Sequence, residues 1–400
     1  MILVVCGTPF QALNLLTLQK TVFKDETVDV VVIDHTPVNR SIYKKLKEMD
    51  LFNDVFFAET VQYSNGGKSN YGFVRDMVEL KHFLNSDKMT SQVPFKTYDY
   101  DRVLVPSDDP PSHVFWYHIK KHNPNAELYL SEDGTKTYSF FDLTMSKFKS
   151  FYLKKLFKMG FFEEIKGAYL HSPEYFPYQD RGLDLVRIPP LDKTDPVVKE
   201  VMNSVFDYEP EKGTIDDNTR FIFFDQAFQF ESELEEQARL YKLIEKHAAA
   251  DELVTKLHPR NKRHVYSRTM YQSYPFELLQ LNNNIEDKVL ISGVSTACLT
   301  PKLVFNEEAH VILLYKLLRS PIFQQEQKAY FEFAEKVKND YVNKDRFFIP
   351  ETEEELVDII KHLSLKPTPV VQESIQPEES LTGQSFSSMG VATEFGDEKK

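Results

Sequence analysis

Cysteine is nearly missing from this chain. Cys6 and Cys298 are the only two in 400 residues, too few for a disulfide framework and without any metal-ligand spacing. Cys6 sits in an apolar, strand-like run and Cys298 in a small-residue segment, so both read as buried, reduced thiols, which suits a reducing cytoplasm. Positive charge is also scarce: 48 Lys and Arg face 61 Asp and Glu, a net charge of −13. That balance argues against a nucleic-acid partner, where clustered cations neutralise phosphates, but it leaves room for a local basic pocket. No apolar run reaches the roughly 18 residues that a membrane-spanning helix needs. The fairly apolar opening, residues 1–18, has no basic leader and is interrupted by Gly7, Thr8, Pro9, Gln11 and Asn14, which disfavours a signal peptide. Met1 then leads directly into the first core strand. The Rossmann G-x-G-x-x-G, the P-loop, G-x-S-x-G and H-E-x-x-H are all missing, as are internal repeats and heptads.

Apolar and aromatic residues are plentiful. Hydrophobic residues make up 42% and aromatic ones 13%, with 32 Phe and 20 Tyr against the single Trp116, enough for two packed cores; the length suits two domains better than one. Short apolar runs alternate with amphipathic ones. Ile2–Cys6, Val28–Ile33, and residues 55–58, 103–105 and 127–130 read as buried strands, separated by helices over 10–20, 40–49, 71–85 and 112–121. Buried runs separated by helices indicate parallel βαβ units. A basic, aromatic stretch at 147–160 has helical spacing; a helix with a solvated basic side and a face that meets anionic lipid both fit it. Residues 183–219, rich in Pro, Asp and Glu, form the crossing, with a helix near 196–206. A second α/β pattern follows: strands at Phe221–Phe224, 253–257, Val289–Ser292 and 311–315, and helices at Glu231–His247, 275–281, 296–304, 325–337 and Glu353–Leu363. Thr352 is the expected cap of the last helix, with Glu355 as its capping-box partner.

The pattern therefore predicts a GT-B-like α/β protein, two Rossmann-like doubly wound domains facing across a cleft. Residues 1–190 form the first domain, 191–219 the crossing, 220–365 the second domain and 366–400 a disordered, Glu-, Ser- and Pro-rich tail.

Chemistry-bearing residues sit where strands end. Glu132-Asp133-Gly134-Thr135 follows the strand at 127–130; a carboxylate there can accept a proton from an attacking hydroxyl, and the other reading, which the spacing alone favours, is a common Asp-Gly surface turn. Leu257-His258-Pro259-Arg260 ends the strand at 253–257. His258 can hydrogen-bond or protonate a departing phosphate, and Arg260, Lys262, Arg263 and His264 add local positive charge; a solvated basic turn is the other reading. Ser292-Gly293-Val294-Ser295-Thr296 opens a helix, so Ser295 and Thr296 either cap it, hold an anion, or both. Glu277 starts an apolar helix, where it either binds a ribose or answers the helix dipole. Gly7 and Thr8 form a strand–turn–helix entry that allows close approach of a ligand.

An acidic pair with Gly, then His-Pro, then a Ser/Thr pair, in that order, resembles the bacterial sialyltransferases of GT-B type. The opening CGTPFQALN, the SEDGT element and the KLHPR element are most similar to the lipooligosaccharide and capsular family 52 enzymes. The resemblance spans about residues 1–363 but is carried by short motifs alone. It implies transfer of N-acetylneuraminate from CMP-N-acetylneuraminate to a galactose-type hydroxyl of a surface glycan (a lipooligosaccharide or capsular polysaccharide). The transfer would be inverting, with no metal and no further cofactor. It implies Asp133 as general base with Glu132 and Gly134 beside it, His258 on the leaving phosphate with Arg260, Ser295 and Thr296 around that phosphate, and Glu277 on the ribose. Some members take the base from the start of the second domain, which makes Asp225 the alternative. A homodimer is compatible with the resemblance, and cytoplasmic placement, with peripheral contact at the inner face of the plasma membrane, stays open. Two other functions remain: a glucosyl- or galactosyltransferase of the same family using another nucleotide sugar, and a non-catalytic glycan-binding or assembly protein.

Overall fold

The computed structural model describes residues 1–60, 87–139, 155, 160–228, 230–258 and 265–365. The expected helix at 71–85, nearly all of the 147–160 stretch, Arg260, Lys262, Arg263 and His264, and the tail from 366 lie outside the described residues. Both sheets belong to one compact unit, Met1–Thr368.

The first sheet has seven parallel strands: β1 (Ile2–Cys6), β2 (Val28–Ile33), β3 (Asp54–Ala58), β4 (Arg102–Val105), β5 (Glu127–Ser131), β6 (Ile165–Leu170) and β7 (Asp184–Arg187). Their order is β3-β2-β1-β4-β5-β6-β7. The second sheet has five: β8 (Phe221–Phe224), β9 (Leu253–Lys256), β10 (Val289–Ser292), β11 (His310–Leu313) and β12 (Phe347–Phe348), in the order β12-β11-β10-β8-β9. Every pairing is parallel. The cause is visible in the sequence. All residues of β1, β2, β8 and β10 are buried, so neither face of these strands can look at water and helices must cover both.

Strand order reverses between β1 and β4 in the first sheet, and between β8 and β10 in the second. Ligands of doubly wound sheets bind beyond the carboxyl ends at such points. Local sequence sets the helices that open there. Thr8 accepts from the Gln11 N–H at 3.2 Å and caps helix Pro9–Lys20 after β1; Asp109 accepts from the Ser112 N–H at 2.8 Å and caps helix Pro110–His122 after β4. In each, a proline in the first turn needs no hydrogen-bond acceptor for its nitrogen and presets φ.

Several expectations shift. Strand β7 lies in the Pro-, Asp- and Glu-rich stretch 183–219, where no strand was expected, and β6 was not expected either. The chain leaves the first sheet at Arg187 and enters the second at Phe221, with helix Pro196–Val205 between them. The single helix expected over 296–304 is a three-residue 3₁₀ turn, Thr296–Cys298, followed by helix Thr300–Phe305, because Pro301 cannot continue a helix and starts a new one. Helix Glu353–Leu363 is capped by Thr352 as expected, but the Glu355 carboxylate accepts from the Glu351 N–H at 2.8 Å rather than from Thr352.

The two halves touch through side chains near the strand ends. Tyr138 stacks on Phe333, with ring centroids 5.2 Å apart and planes 8° from parallel, and Tyr175 donates to Asp340 at 2.7 Å. The Leu191 N–H donates to the Val304 carbonyl at 2.9 Å along the crossing.

Candidate active site

Strand β5 ends at Ser131 and delivers two carboxylates in succession. Just past the strand the two part ways: one goes in and one comes out. Glu132 goes in. It is fully buried, and one carboxylate oxygen accepts from the Tyr138 hydroxyl and, at 2.7 Å, from the His171 N–H. The other oxygen has no hydrogen-bond partner among the described residues. Burial pushes its carboxyl up to about 7 despite these donors, with the Asp133 charge adding to the rise. His171 is buried alongside, bonded through Nε2 to Asn14 at 3.0 Å, and burial with the nearby Arg187 charge drives its imidazole down to about 3, so it is neutral.

Asp133 comes out, with 19% of its side chain exposed. Its N–H donates to the Thr137 hydroxyl at 2.7 Å, its Oδ1 accepts from Gln11 Nε2 at 2.7 Å, and its Oδ2 stands 3.7 Å from the Lys136 ammonium. Burial raises its pKa, while Lys136 and Gln11 oppose that rise. Gly134 follows at φ +63°, the left-handed turn that redirects the chain into helix Thr135–Ser139. A Cβ on Gly134 would stand 2.9 Å from Thr296 Cγ2, and the Thr135 and Thr296 hydroxyls are 2.7 Å apart. The acidic loop of the first sheet therefore meets the Ser/Thr loop of the second.

Ser295 and Thr296 stand beyond β10, at the second reversal of strand order. The Ser295 hydroxyl accepts from the Ala297 N–H at 3.3 Å, and its own N–H donates to Ser292, whose hydroxyl donates to the Phe224 carbonyl. With only a 3₁₀ turn behind them, these residues offer an anion their hydroxyls and turn N–H groups rather than the dipole of a long helix.

Asp225, directly after β8, is buried and serves as a hub. Tyr266 donates to it at 2.5 Å, Gln237 at 2.9 Å and the His258 N–H at 3.1 Å. Half-buried His258 is thus tied by its backbone to the end of the neighbouring strand. Glu277 is buried, accepts from Thr300 at 3.2 Å, and is raised by burial. It faces Lys256, whose ammonium burial lowers to about 8 while it donates to the Tyr271 and Gln272 carbonyls at 2.7 and 2.9 Å. Gly7 donates its N–H to Gln11 Oε1 at 2.6 Å and accepts from Asn39 at 2.7 Å. A Cβ on Gly7 would lie 3.2 Å from His35 Nδ1.

The structure thus gathers Gly7, Thr8, Glu132, Asp133, Gly134, Ser295 and Thr296 along linked loops, and ties Asp225 to His258. Sequence reasoning gave no role to Gln11, His35, Asn14, Tyr138 or His171; Gln11 and Asn14 meet Asp133 and Glu132 at 122 and 118 residues' distance and His171 meets Asn14 at 157, while the shorter link from Tyr138 to Glu132 falls in no motif. Among the described residues, no group of three His, Cys, Asp or Glu side chains is placed to hold a metal ion, and no helix is long and apolar enough to cross a membrane.

Two parallel, doubly wound sheets meeting at their carboxyl ends are an architecture with solved counterparts. The chain is similar to CalG4, the calicheamicin glycosyltransferase, at a TM-score of 0.52 and 10% identity, covering 91% of this chain and 90% of that one. It is similar to the glycotransferase of kitacinnamycin at 0.51 and 8% identity, over 92% and 91%. A third is the spinosyn rhamnosyltransferase SpnG, at 0.50 and 11% identity, over 91% of each chain. The fold is GT-B. No family model matches this GT-B chain, and no curated protein matches it by sequence.

Proposed function

We propose that this GT-B protein is a glycosyltransferase, and that it transfers N-acetylneuraminate from the CMP sugar to a galactose-type hydroxyl of a surface glycan, with inversion. The observation that carries the reading is the meeting of the Asp133 loop with the Thr296 loop, Thr135 to Thr296 at 2.7 Å, where each sheet presents its carboxyl ends. In this reading the base, Asp133, and the phosphate-binding hydroxyls, Ser295 and Thr296, stand on adjoining loops.

In this reading the acceptor hydroxyl attacks the anomeric carbon while Asp133 takes its proton. The bond from that carbon to the phosphate oxygen breaks, and CMP leaves with the electron pair. The transition state has oxocarbenium character, so the protein contributes orientation and stabilisation of the departing charge. Ser295 and Thr296 hydrogen-bond the phosphate, His258 hydrogen-bonds or protonates it, Arg260 adds charge, and Glu277 accepts from the ribose. One phosphate can be served by these groups without a metal ion. The three donors converging on Asp225 favour a framing role for it, and the exposed face of Asp133 favours Asp133 as the base.

A thermal-shift comparison of CMP, UDP and GDP, with no metal added, tests this. A ligand that binds only the folded state raises the melting temperature. The expected result is stabilisation by CMP alone, lost in His258→Ala. Stabilisation by UDP or GDP instead would move the donor to another nucleotide sugar, and no response to any of the three would favour a non-catalytic glycan-binding or assembly role.

A further inference from the structure

Gln11 lies in the first turn of helix Pro9–Lys20, is buried, and is 122 residues from Asp133 in sequence. Its amide spans the gap between two strand ends. On one side stands the Gly7 N–H, 2.6 Å away; on the other stands Asp133 Oδ1, 2.7 Å away. The amide cannot be turned round. A backbone N–H only donates, so the side-chain oxygen must face Gly7 and the NH₂ must face Asp133. That fixes the division of labour on the carboxylate: Oδ1 is occupied by a charge-assisted bond, and Oδ2 has Lys136 at 3.7 Å, beyond hydrogen-bond reach.

We propose that Gln11 is a positioning residue for the transfer reaction: oriented by Gly7, it holds Asp133 by Oδ1 and leaves Oδ2 to take the proton of the acceptor hydroxyl. This rests on Asp133 being the base. The proton passes from the acceptor oxygen to Oδ2 as that oxygen bonds to the anomeric carbon and the phosphate departs with its electron pair. The hydrogen bond from Gln11 also lowers the Asp133 pKa against the effect of burial. The charged groups facing Asp133 are Lys136 on helix Thr135–Ser139, Asp109 at the start of helix Pro110–His122, His35 after β2 and the adjacent Glu132; the buried Cys6 thiol of β1 lies near it as well.

The test compares Gln11→Ala and Gln11→Glu with the parent chain, using CMP-N-acetylneuraminate as donor and lactose as acceptor. Expected for Gln11→Ala is a fall in kcat of about 10- to 100-fold, with donor KM within about twofold, and an acid limb of the pH–rate profile displaced to higher pH. Gln11→Glu keeps an acceptor for the Gly7 N–H but sets a carboxylate against Asp133, so its acid limb should lie higher still. A structural role alone would not produce that order. An unmoved acid limb in both variants, or a loss confined to KM, overturns the proposal. A cycle of melting temperatures for Gln11→Ala, Asp133→Asn and the double variant reads the same tie without activity: non-additive losses support it and additive losses overturn it. Should the parent chain neither respond to CMP nor transfer the sugar, the sialyltransferase reading fails, and this cycle still decides whether Gln11 holds Asp133.

Discussion

Two carboxylates stand at the carboxyl ends of parallel strands, one in each half of the molecule, and they are held in opposite ways. Asp225 follows β8 and is buried under a tyrosine, a glutamine and a backbone N–H, all within its own half. Asp133 follows β5, keeps part of its surface open, and among the described residues has a single side-chain hydrogen bond, from Gln11. The same residue type, just beyond a strand end in each sheet, thus faces different demands. A carboxylate whose lone pairs are filled by protein donors stabilises its surroundings, whereas one with an unfilled oxygen can accept a proton.

The sharpest way to break this comparison is to neutralise each in turn. Asp133→Asn should reduce transfer by on the order of 10³-fold while the chain still folds and binds CMP. Asp225→Asn should cost roughly 2–3 kcal/mol of stability, since the amide sets an NH₂ against donors that need an acceptor. Its transfer, measured well below its melting temperature, should stay within about tenfold of the parent if its part is to frame the site. Urea midpoints and initial rates on the same two preparations check both. A folded Asp225→Asn chain without transfer, beside an active Asp133→Asn chain, would exchange the two roles.

Burial without a cation distinguishes Glu132 from Glu277, which faces Lys256, and pH should expose it. The Glu132 carboxyl rises from its ordinary 4.5 to about 7 in the folded chain. A raised pKa means that the folded state holds a proton the unfolded state has released. The stabilisation is complete below pH 4.5 and is lost as pH climbs through about 7. Across that window the contribution is on the order of 3 kcal/mol. Glu132→Gln, neutral throughout, should lack this component, so the stability of the parent relative to the variant should fall by that order between mildly acidic and slightly alkaline pH. Urea midpoints measured across the range show it, and parallel curves for the two chains would refute the account of a carboxyl raised by burial.

The contrast between regions also explains what could be read from sequence. Strands such as Ile2–Cys6, Phe221–Phe224 and Val289–Ser292 were legible because a strand buried on both faces is an unbroken apolar run. Strand β7 is an edge strand with no buried residue, so Asp184–Arg187 carries no such run. Strand β6 contains Gly167, where a Cβ would stand 2.1 Å from the Asp184 carbonyl oxygen; close approach of backbones demands glycine there, and glycine weakens the strand signal. At the candidate site the acidic pair and the Ser/Thr pair were visible as residue types at strand ends. Which of Glu132 and Asp133 would be buried was not visible in the sequence. The Gln11–Asp133 and Thr135–Thr296 contacts, 122 and 161 residues apart, exist only once the sheets are stacked in order, and no local spacing encodes them.

The smallest expected effect tests the contact between the halves. Gly134 adopts φ +63°, which costs an L residue roughly 1 kcal/mol, and an added Cβ would meet Thr296 Cγ2 at 2.9 Å. Gly134→Ala should therefore lose about 2 kcal/mol, part from backbone strain inside one loop and part from the other half of the molecule. Thr296→Ser removes the obstructing methyl and keeps the hydroxyl that meets Thr135. Added to Gly134→Ala, it should recover the steric share and leave the backbone share, so the double variant should melt between Gly134→Ala and the parent. A Thr296→Ser change that restores nothing would mean that the strain is wholly local, and that the loops after β5 and β10 do not press together in solution. Recovery of about half would show that a single methyl reports whether the two halves are in contact.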